Sequence, residues 1–201
     1  MKKLYTELLL LFIVFPIVLA IPSIHYSIKV IFGILAFAYI CTISIKHKYY
    51  LQKNNLFNYY SILPKFLGIA LTSTIYLYFT EPNSLFIAIK SKPLIWLLFL
   101  GIYTLLSVLP QEFIYRTWFF KRYQNLIDSS TIFIILNAFI FSLGHLFFWS
   151  PLVLLITFIG GLLFASTYQN TKSFWLVSIE HTIYGGWLFT VGFGKLLGFP
   201  I

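Results

Sequence analysis

The sequence predicts an all-α, polytopic integral membrane protein with about seven transmembrane helices. Of its 201 residues, 60% are hydrophobic and only 9% are charged, whereas about 25% of the residues in a soluble domain are charged. The mean hydropathy is +0.90, and the apolar residues fall in runs of the ~20 residues that a helix needs to cross a hydrocarbon core. We expect a single membrane domain over residues 1–201.

Short polar segments separate seven apolar runs. In chain order, the predicted spans are Leu4–Ile21, Tyr26–Ile45, Tyr60–Phe79, Pro93–Phe120, Thr131–Phe148, Leu152–Tyr168 and Ser173–Phe189. The first run follows two lysines like a signal peptide, but a second apolar run comes almost at once, which favours a retained helix. The fourth run is long enough either to extend beyond the bilayer or to form two helices broken at Pro110.

The net charge of +9 follows the topology and does not indicate a nucleic-acid-binding surface. With the N-terminus in the cytoplasm, most of the basic loop residues lie on that side, as the positive-inside rule requires. The cytoplasmic set is Lys2, Lys3, Lys46, Lys48, Lys53, Lys121, Arg122 and Lys172, and the outer set is Lys90, Lys92 and Lys195. Membrane lipid is therefore one expected partner, and nucleic acid is not.

Three ionisable residues lie inside or at the end of apolar runs: Glu112, His145 and His181. An ionisable group at membrane depth costs at least ~2.5–3.5 kcal/mol on insertion scales, so it usually faces a polar cavity and has a function there. A carboxylate and two imidazoles on three helices can perform acid–base chemistry or bind a metal. The sequence therefore predicts a membrane-embedded hydrolase.

Glu112 precedes Arg116 by four residues, which places both on one face of an α-helix. In one interpretation they form a structural salt bridge that closes the end of a helix. In the other, Arg116 holds the carboxylate beside a cavity, where Glu112 accepts a proton from water. Pro110 bends the helix just upstream and frees a backbone carbonyl, which makes room for that water.

The second and third polar clusters lie on the fifth and seventh spans. Asn137, Phe141 and His145 follow one another at four-residue intervals, which predicts one stripe along a helix that is polar at two levels. Glu180 and His181 are adjacent and point about 100° apart, so only one of them can face a narrow site. We take His181 as the cavity residue and Glu180 as a residue that orients it or a neighbouring group.

Glu112, His145 and His181 are also the ligands that a zinc ion would use, if one is present. They come from three different helices, no His-Glu-x-x-His spacing occurs, and Cys41 is the only cysteine. We expect no cofactor, with zinc as the open alternative. Without an ion, Glu112 deprotonates water, and the imidazoles polarise the scissile carbonyl and stabilise the oxyanion.

Other unusual residues have structural explanations. Gly160-Gly161 and Gly185-Gly186 are expected to let helices approach closely, as small residues do in membranes. Lys29 and Lys65 lie near helix ends, where a lysine extends its ammonium group to the membrane interface.

Together, the three clusters resemble the motifs of a known family. Gln111-Glu112-x-x-x-Arg116, Phe141-x-x-x-His145 and His181 are similar to the EExxxR, FxxxH and HxxxN motifs of the CAAX protease and bacteriocin-processing (CPBP, or Abi) family. The resemblance covers roughly residues 94–193. It implies a helical bundle like that of the type 2 CAAX prenyl proteases and a glutamate-dependent intramembrane endopeptidase, a class earlier described as metalloproteases. The implied partner is a peptide or membrane-protein substrate, and the implied location is the cytoplasmic membrane of a bacterium.

Two positions depart from the family pattern. The first Glu of the pair is Gln111, and because an amide cannot act as a base, Glu112 must take that role. The Asn after the last histidine is Gly185, which removes a hydrogen-bond donor to the oxyanion. Losing one such donor costs ~10²–10³ in rate. Asn137 and Tyr184 are the predicted substitutes, and a Pro-Gln-Glu start with this glycine resembles a subgroup of bacterial members.

The leading prediction is peptide-bond hydrolysis in the membrane with Glu112, Arg116, His145 and His181 as catalytic residues. A second hypothesis is a non-catalytic protein that binds a peptide or membrane protein, such as an immunity factor or scaffold, and Gln111 and Gly185 are its best support. A third is a small proton-coupled transporter, since buried Glu and His also form proton relays. The sequence shows none of the inverted repeats that many transporters carry.

Overall fold

A computed structural model describes residues 2–49, 51 and 59–197. Every regular element in these residues is helical, which confirms the all-α fold class. The principal helices are α1 (Lys2–Ala20), α2 (Tyr26–Lys46), α3 (Ile62–Thr80), α4 (Ile87–Ser91), α5 (Pro93–Leu126), α6 (Ser130–Leu143), α7 (Pro151–Thr171) and α8 (Phe174–Val191).

Six helical stretches of the described chain are long and apolar enough to cross a membrane. They are α1, α2, α3, α5, α7 and the stretch Ser130–Phe148, which contains α6. This confirms a polytopic integral membrane protein. The seventh predicted span forms α8, which carries Glu180 and His181 and is not one of these six stretches. Lys53, one of the predicted cytoplasmic lysines, lies outside the described residues, and the orientation of the chain stays a prediction.

The helices form two compact units. The first unit consists of Met1–Gln52 and Phe113–Lys172, and the second of Lys53–Glu112 and Ser173–Ile201. α5 therefore contributes its first part to the second unit and its last part to the first. A single domain over residues 1–201 stays a prediction.

α5 continues through Pro110, so the long unbroken helix is the correct one of the two interpretations. Two π-helical segments, Tyr103–Val108 and Phe113–Trp118, flank the short α-helical stretch Leu109–Glu112. A proline lacks the backbone N–H and its ring clashes with the carbonyl four residues earlier. The wider π turn before Pro110 accommodates that ring without breaking the helix. Such π-helical turns frequently lie at functional sites.

In the first unit, α6 and α7 pack closely at a glycine. A Cβ atom built on Gly161 would lie 2.9 Å from the Cα atom of Ala138 and 3.1 Å from its carbonyl oxygen. Only a residue without a side chain allows this approach, which confirms the prediction for this glycine.

A charged cluster joins three helices of the first unit. Glu7 on α1 accepts two hydrogen bonds of 2.8 Å from Arg122 on α5, through Nε and Nη2. The hydroxyl groups of Tyr123 and Tyr39 donate to the same carboxylate at 2.8 and 2.7 Å. The two parallel bonds match the planar guanidinium to the carboxylate, which is the strongest geometry for such a pair.

In the second unit, α8 packs against α5 and α3 through aromatic residues. The ring centroid of Phe189 lies 4.8 Å from those of Phe99 and Tyr103 on α5. The indole nitrogen of Trp187 donates to the Ser73 hydroxyl on α3 at 3.0 Å. These contacts set the orientation of the helix that carries the third polar cluster.

Candidate active site

Two of the predicted site residues meet in the second unit. The imidazole Nδ1 of His181 on α8 lies 2.7 Å from Oε1 of Glu112 on α5. The Glu112 side chain is fully buried and that of His181 is 8% exposed. A hydrogen bond between ionisable groups is stronger in such surroundings than in water. α5 and α8 therefore bring together residues that are 69 positions apart in the sequence.

The hydrogen bond determines which imidazole nitrogen is available for chemistry. An ionised carboxylate only accepts hydrogen bonds, so Nδ1 of His181 carries the proton when Glu112 is charged. The other nitrogen, Nε2, is an acceptor in the neutral ring and an N–H donor in the imidazolium ion. The pair can thus take a proton from water and donate a hydrogen bond to an oxygen that gains charge, as hydrolysis requires.

Gln111 lies next to this pair on α5. Its Nε2 atom donates a 2.7 Å hydrogen bond to the hydroxyl of Ser107, one turn earlier. Its buried Oε1 atom has no hydrogen-bond partner within the described part of the chain. The amide is therefore tied to its own helix.

Glu180 connects α8 to α3. Its Oε1 atom accepts hydrogen bonds from the Lys65 ammonium at 2.9 Å and from the Tyr184 hydroxyl at 3.0 Å. The Tyr184 hydroxyl also lies 3.1 Å from the carbonyl oxygen of Ile62. Glu180 is fully buried, whereas the Lys65 side chain is 31% exposed. Lys65 was expected to extend to the membrane interface, and its partner on α8 was not foreseen.

Arg116, Asn137 and Phe141 belong to the first unit, and all three are buried. The guanidinium carbon of Arg116 lies 4.7 Å from the centre of the Phe141 ring, a cation–π contact. The Asn137 Nδ2 atom donates to the Tyr115 carbonyl at 2.8 Å. The Asn137 Oδ1 atom makes no hydrogen bond to any residue that the structure describes.

His145 also lies in the first unit. The prediction of one helix through His145 is wrong, but its ring contacts that of Phe141, with the centroids 4.9 Å apart, as the four-residue interval predicts. α6 ends at Leu143, and Gly144, a weak helix former, is its C-cap. The Nδ1 atom of His145 lies 2.9 Å from the Phe141 carbonyl oxygen, one of the carbonyls that a helix end leaves without an intrahelical partner. Because a carbonyl only accepts, Nδ1 carries the proton and Nε2 is the acceptor of the neutral ring.

Among the residues that the structure describes, no three His, Cys, Asp or Glu side chains are grouped closely enough to hold an ion. Glu112 and His181 supply two donors, and these are hydrogen-bonded to each other. The metal requirement of the protein stays a prediction.

Tyr103, which was not among the predicted site residues, lies beside the pair. Its ring meets the His181 imidazole edge-on, with the ring centroids 6.0 Å apart. No motif marks this residue, and the chain contains 14 tyrosines. Its position on the same helix as Glu112 is the only signal that the sequence offers.

About half of the chain matches a protein-family model. Residues 93–187, which are 95 of the 201 residues, match the family model described as type II CAAX prenyl endopeptidase, Rce1-like. The match supports assignment of the chain to the CPBP/CAAX protease family. It therefore supports a CAAX-type intramembrane protease. No curated protein and no solved structure matches the chain.

Proposed function

We propose that this protein is an intramembrane endopeptidase that hydrolyses peptide bonds of a membrane-associated protein or peptide. The observation that carries the proposal is the 2.7 Å hydrogen bond between Glu112 and His181, two ionisable side chains almost completely removed from solvent. Both residues lie within the range that matches the endopeptidase family. A buried acid–base pair on two packed helices is suited to proton transfer.

In the proposed reaction, the Glu112 carboxylate takes one proton from a water molecule. The water oxygen forms a bond to the carbonyl carbon of the peptide, and the π electron pair moves to the carbonyl oxygen. A protonated His181 donates its Nε2–H to that oxyanion while Nδ1 remains on Glu112. When the intermediate collapses, the C–N bond breaks and the proton held by Glu112 passes to the departing nitrogen, which restores the carboxylate.

Arg116 and His145 are included in the proposed site because they lie in two of the three motifs that resemble those of the family. His145 has its Nδ1 on a backbone carbonyl, so its neutral ring offers Nε2 as a hydrogen-bond acceptor. Arg116 is assigned the role of positioning the Glu112 carboxylate. With the N-terminus in the cytoplasm, Glu112 lies toward the cytoplasmic part of its helix, and we assign substrate entry to that side.

The test is cleavage of a quenched fluorescent peptide library by the purified protein in nanodiscs, compared with the Glu112→Gln variant. General base catalysis contributes typically ~10²–10⁴ in rate, so the variant is expected to lose at least ~10²-fold in kcat. The amide keeps the shape of the side chain and removes only its basicity. Glu81→Gln is the matched control, because Glu81 lies in the same unit at an exposed helix end.

Full activity of the Glu112→Gln variant would refute the assigned base. Cleavage that a strong zinc chelator leaves unchanged would support the metal-free mechanism, and cleavage that zinc restores after chelation would contradict it. Absence of cleavage by the wild-type protein across the library would favour a membrane protein that binds peptides without cutting them.

A further inference from the structure

The Tyr103 hydroxyl lies against the backbone of α8 at Gly185, one helical turn beyond His181. A Cβ atom built on Gly185 would overlap this hydroxyl and would lie 2.8 Å from the ring carbon that carries it. Any side chain at position 185 would therefore displace the hydroxyl. The glycine leaves space for the Tyr103 hydroxyl, a donor group that comes from α5. The residue at position 185 therefore determines whether the hydroxyl of Tyr103 can occupy this place.

The aromatic core of the second unit holds the Tyr103 ring in place. The ring stacks nearly parallel to that of Phe99, at an interplanar angle of 7°, and meets the Phe189 ring at 4.8 Å. Its edge-on contact with His181 places it at the acid–base pair. A side chain restrained on three sides presents its hydroxyl in one direction.

This hydroxyl makes no hydrogen bond to any residue in the described part of the chain. Tyr103 is only partly buried, and its hydroxyl is not one of the buried side-chain atoms without a hydrogen-bond partner, so it can donate to a ligand. The two donors predicted from sequence to serve the oxyanion make other hydrogen bonds. Asn137 donates to the Tyr115 carbonyl in the other unit, and the Tyr184 hydroxyl lies on Glu180.

We propose that Tyr103 is a further catalytic residue. Its hydroxyl donates a hydrogen bond to the carbonyl oxygen of the substrate as that oxygen becomes an oxyanion. The inference rests on the proposed hydrolysis and assigns the donor beside His181 to a residue of α5. Gly185 is then required for space, since a Cβ atom at that position would push the donor away.

The test is the Tyr103→Phe variant in the peptide-cleavage assay, with kcat and KM measured separately. The phenylalanine keeps the ring contacts and removes only the donor, so kcat is expected to fall by ~10²–10³ while KM changes little. Tyr76→Phe is the matched control, because this partly exposed tyrosine of the same unit also packs by its ring, on Phe193. A wild-type kcat for Tyr103→Phe would overturn the inference.

A second variant decides the question if Tyr103→Phe does not fold. Gly185→Ala keeps the hydroxyl but displaces it, so kcat is again expected to fall, and a wild-type kcat would overturn the inference.

The Glu112→Gln variant separates the two proposals. If Glu112→Gln is inactive and Tyr103→Phe is fully active, only the role of Tyr103 fails. If Glu112→Gln is fully active, the proposed function fails, and the inference fails with it.

Discussion

The ion pair between Lys65 and Glu180 allows a test of how a partly buried lysine stabilises this membrane protein. We consider Lys65→Met and Glu180→Gln, which remove the two partners in turn. The partners differ in their surroundings, because Glu180 is fully buried and the Lys65 side chain is 31% exposed. The two substitutions are therefore expected to have unequal effects on stability.

The magnitudes follow from what each substitution leaves behind. Lys65→Met leaves the Glu180 carboxylate buried with one remaining hydrogen bond, from Tyr184, and removing one partner of a buried ion pair costs about 3–5 kcal/mol. Glu180→Gln leaves a lysine that can turn toward water, so the cost is that of a lost charge-assisted hydrogen bond, about 1.5–3 kcal/mol. The double variant is expected to lose less stability than the sum of the two, because both remove the same contact.

The assay is thermal unfolding of the purified variants in one detergent at one scan rate. For a chain of this size, 1 kcal/mol corresponds to roughly 2–4 °C in Tm, so Lys65→Met is expected to lower Tm by about 6–20 °C. Lys92→Met is the control, because Lys92 is an exposed lysine of the same unit. A smaller loss for Lys65→Met than for Glu180→Gln, or additive losses in the double variant, would refute the reasoning.

Two further stability predictions concern the first unit. Gly161→Ala is expected to cost about 1–3 kcal/mol, because the new Cβ atom would lie 2.9 Å from the Cα atom of Ala138. Gly160→Ala is its control, since the nearest contact there is a ring carbon at 3.3 Å, and equal shifts in unfolding temperature for the two would contradict the close helix approach. Glu7→Gln is expected to lower stability by about 1.5–3 kcal/mol, because Arg122 loses the charge on which its two hydrogen bonds rest. An unchanged unfolding temperature would show that this cluster does not hold the helices together.

Much of the fold could be predicted from local composition. Apolar runs of bilayer length are visible without any knowledge of contacts, and six of the seven predicted spans meet the same criterion in the structure. The effect of Pro110 was not visible, because whether a proline breaks a helix depends on whether the turn before it can widen. The structure shows a π-helical segment there, and the helix continues.

The candidate site was predictable in its residues and less so in its geometry. Glu112 and His181 could be recognised because ionisable groups in apolar runs are costly and therefore rare. Their pairing, and the nitrogen that it leaves available, depend on how α5 packs against α8. The position of His145 beyond its helix was missed because a four-residue interval continues to look helical after the helix has ended.

The sequence by itself determined the class of membrane protein, the order of its spans and the polar residues that the bilayer makes conspicuous. These properties depend on short segments of the chain and on the cost of placing each residue type in hydrocarbon. Only the tertiary structure decided the partners of those residues: Lys65 for Glu180, and Tyr103 beside Gly185 and His181. Such partners come from helices that are distant in the sequence, and the close packing of side chains between those helices selects them.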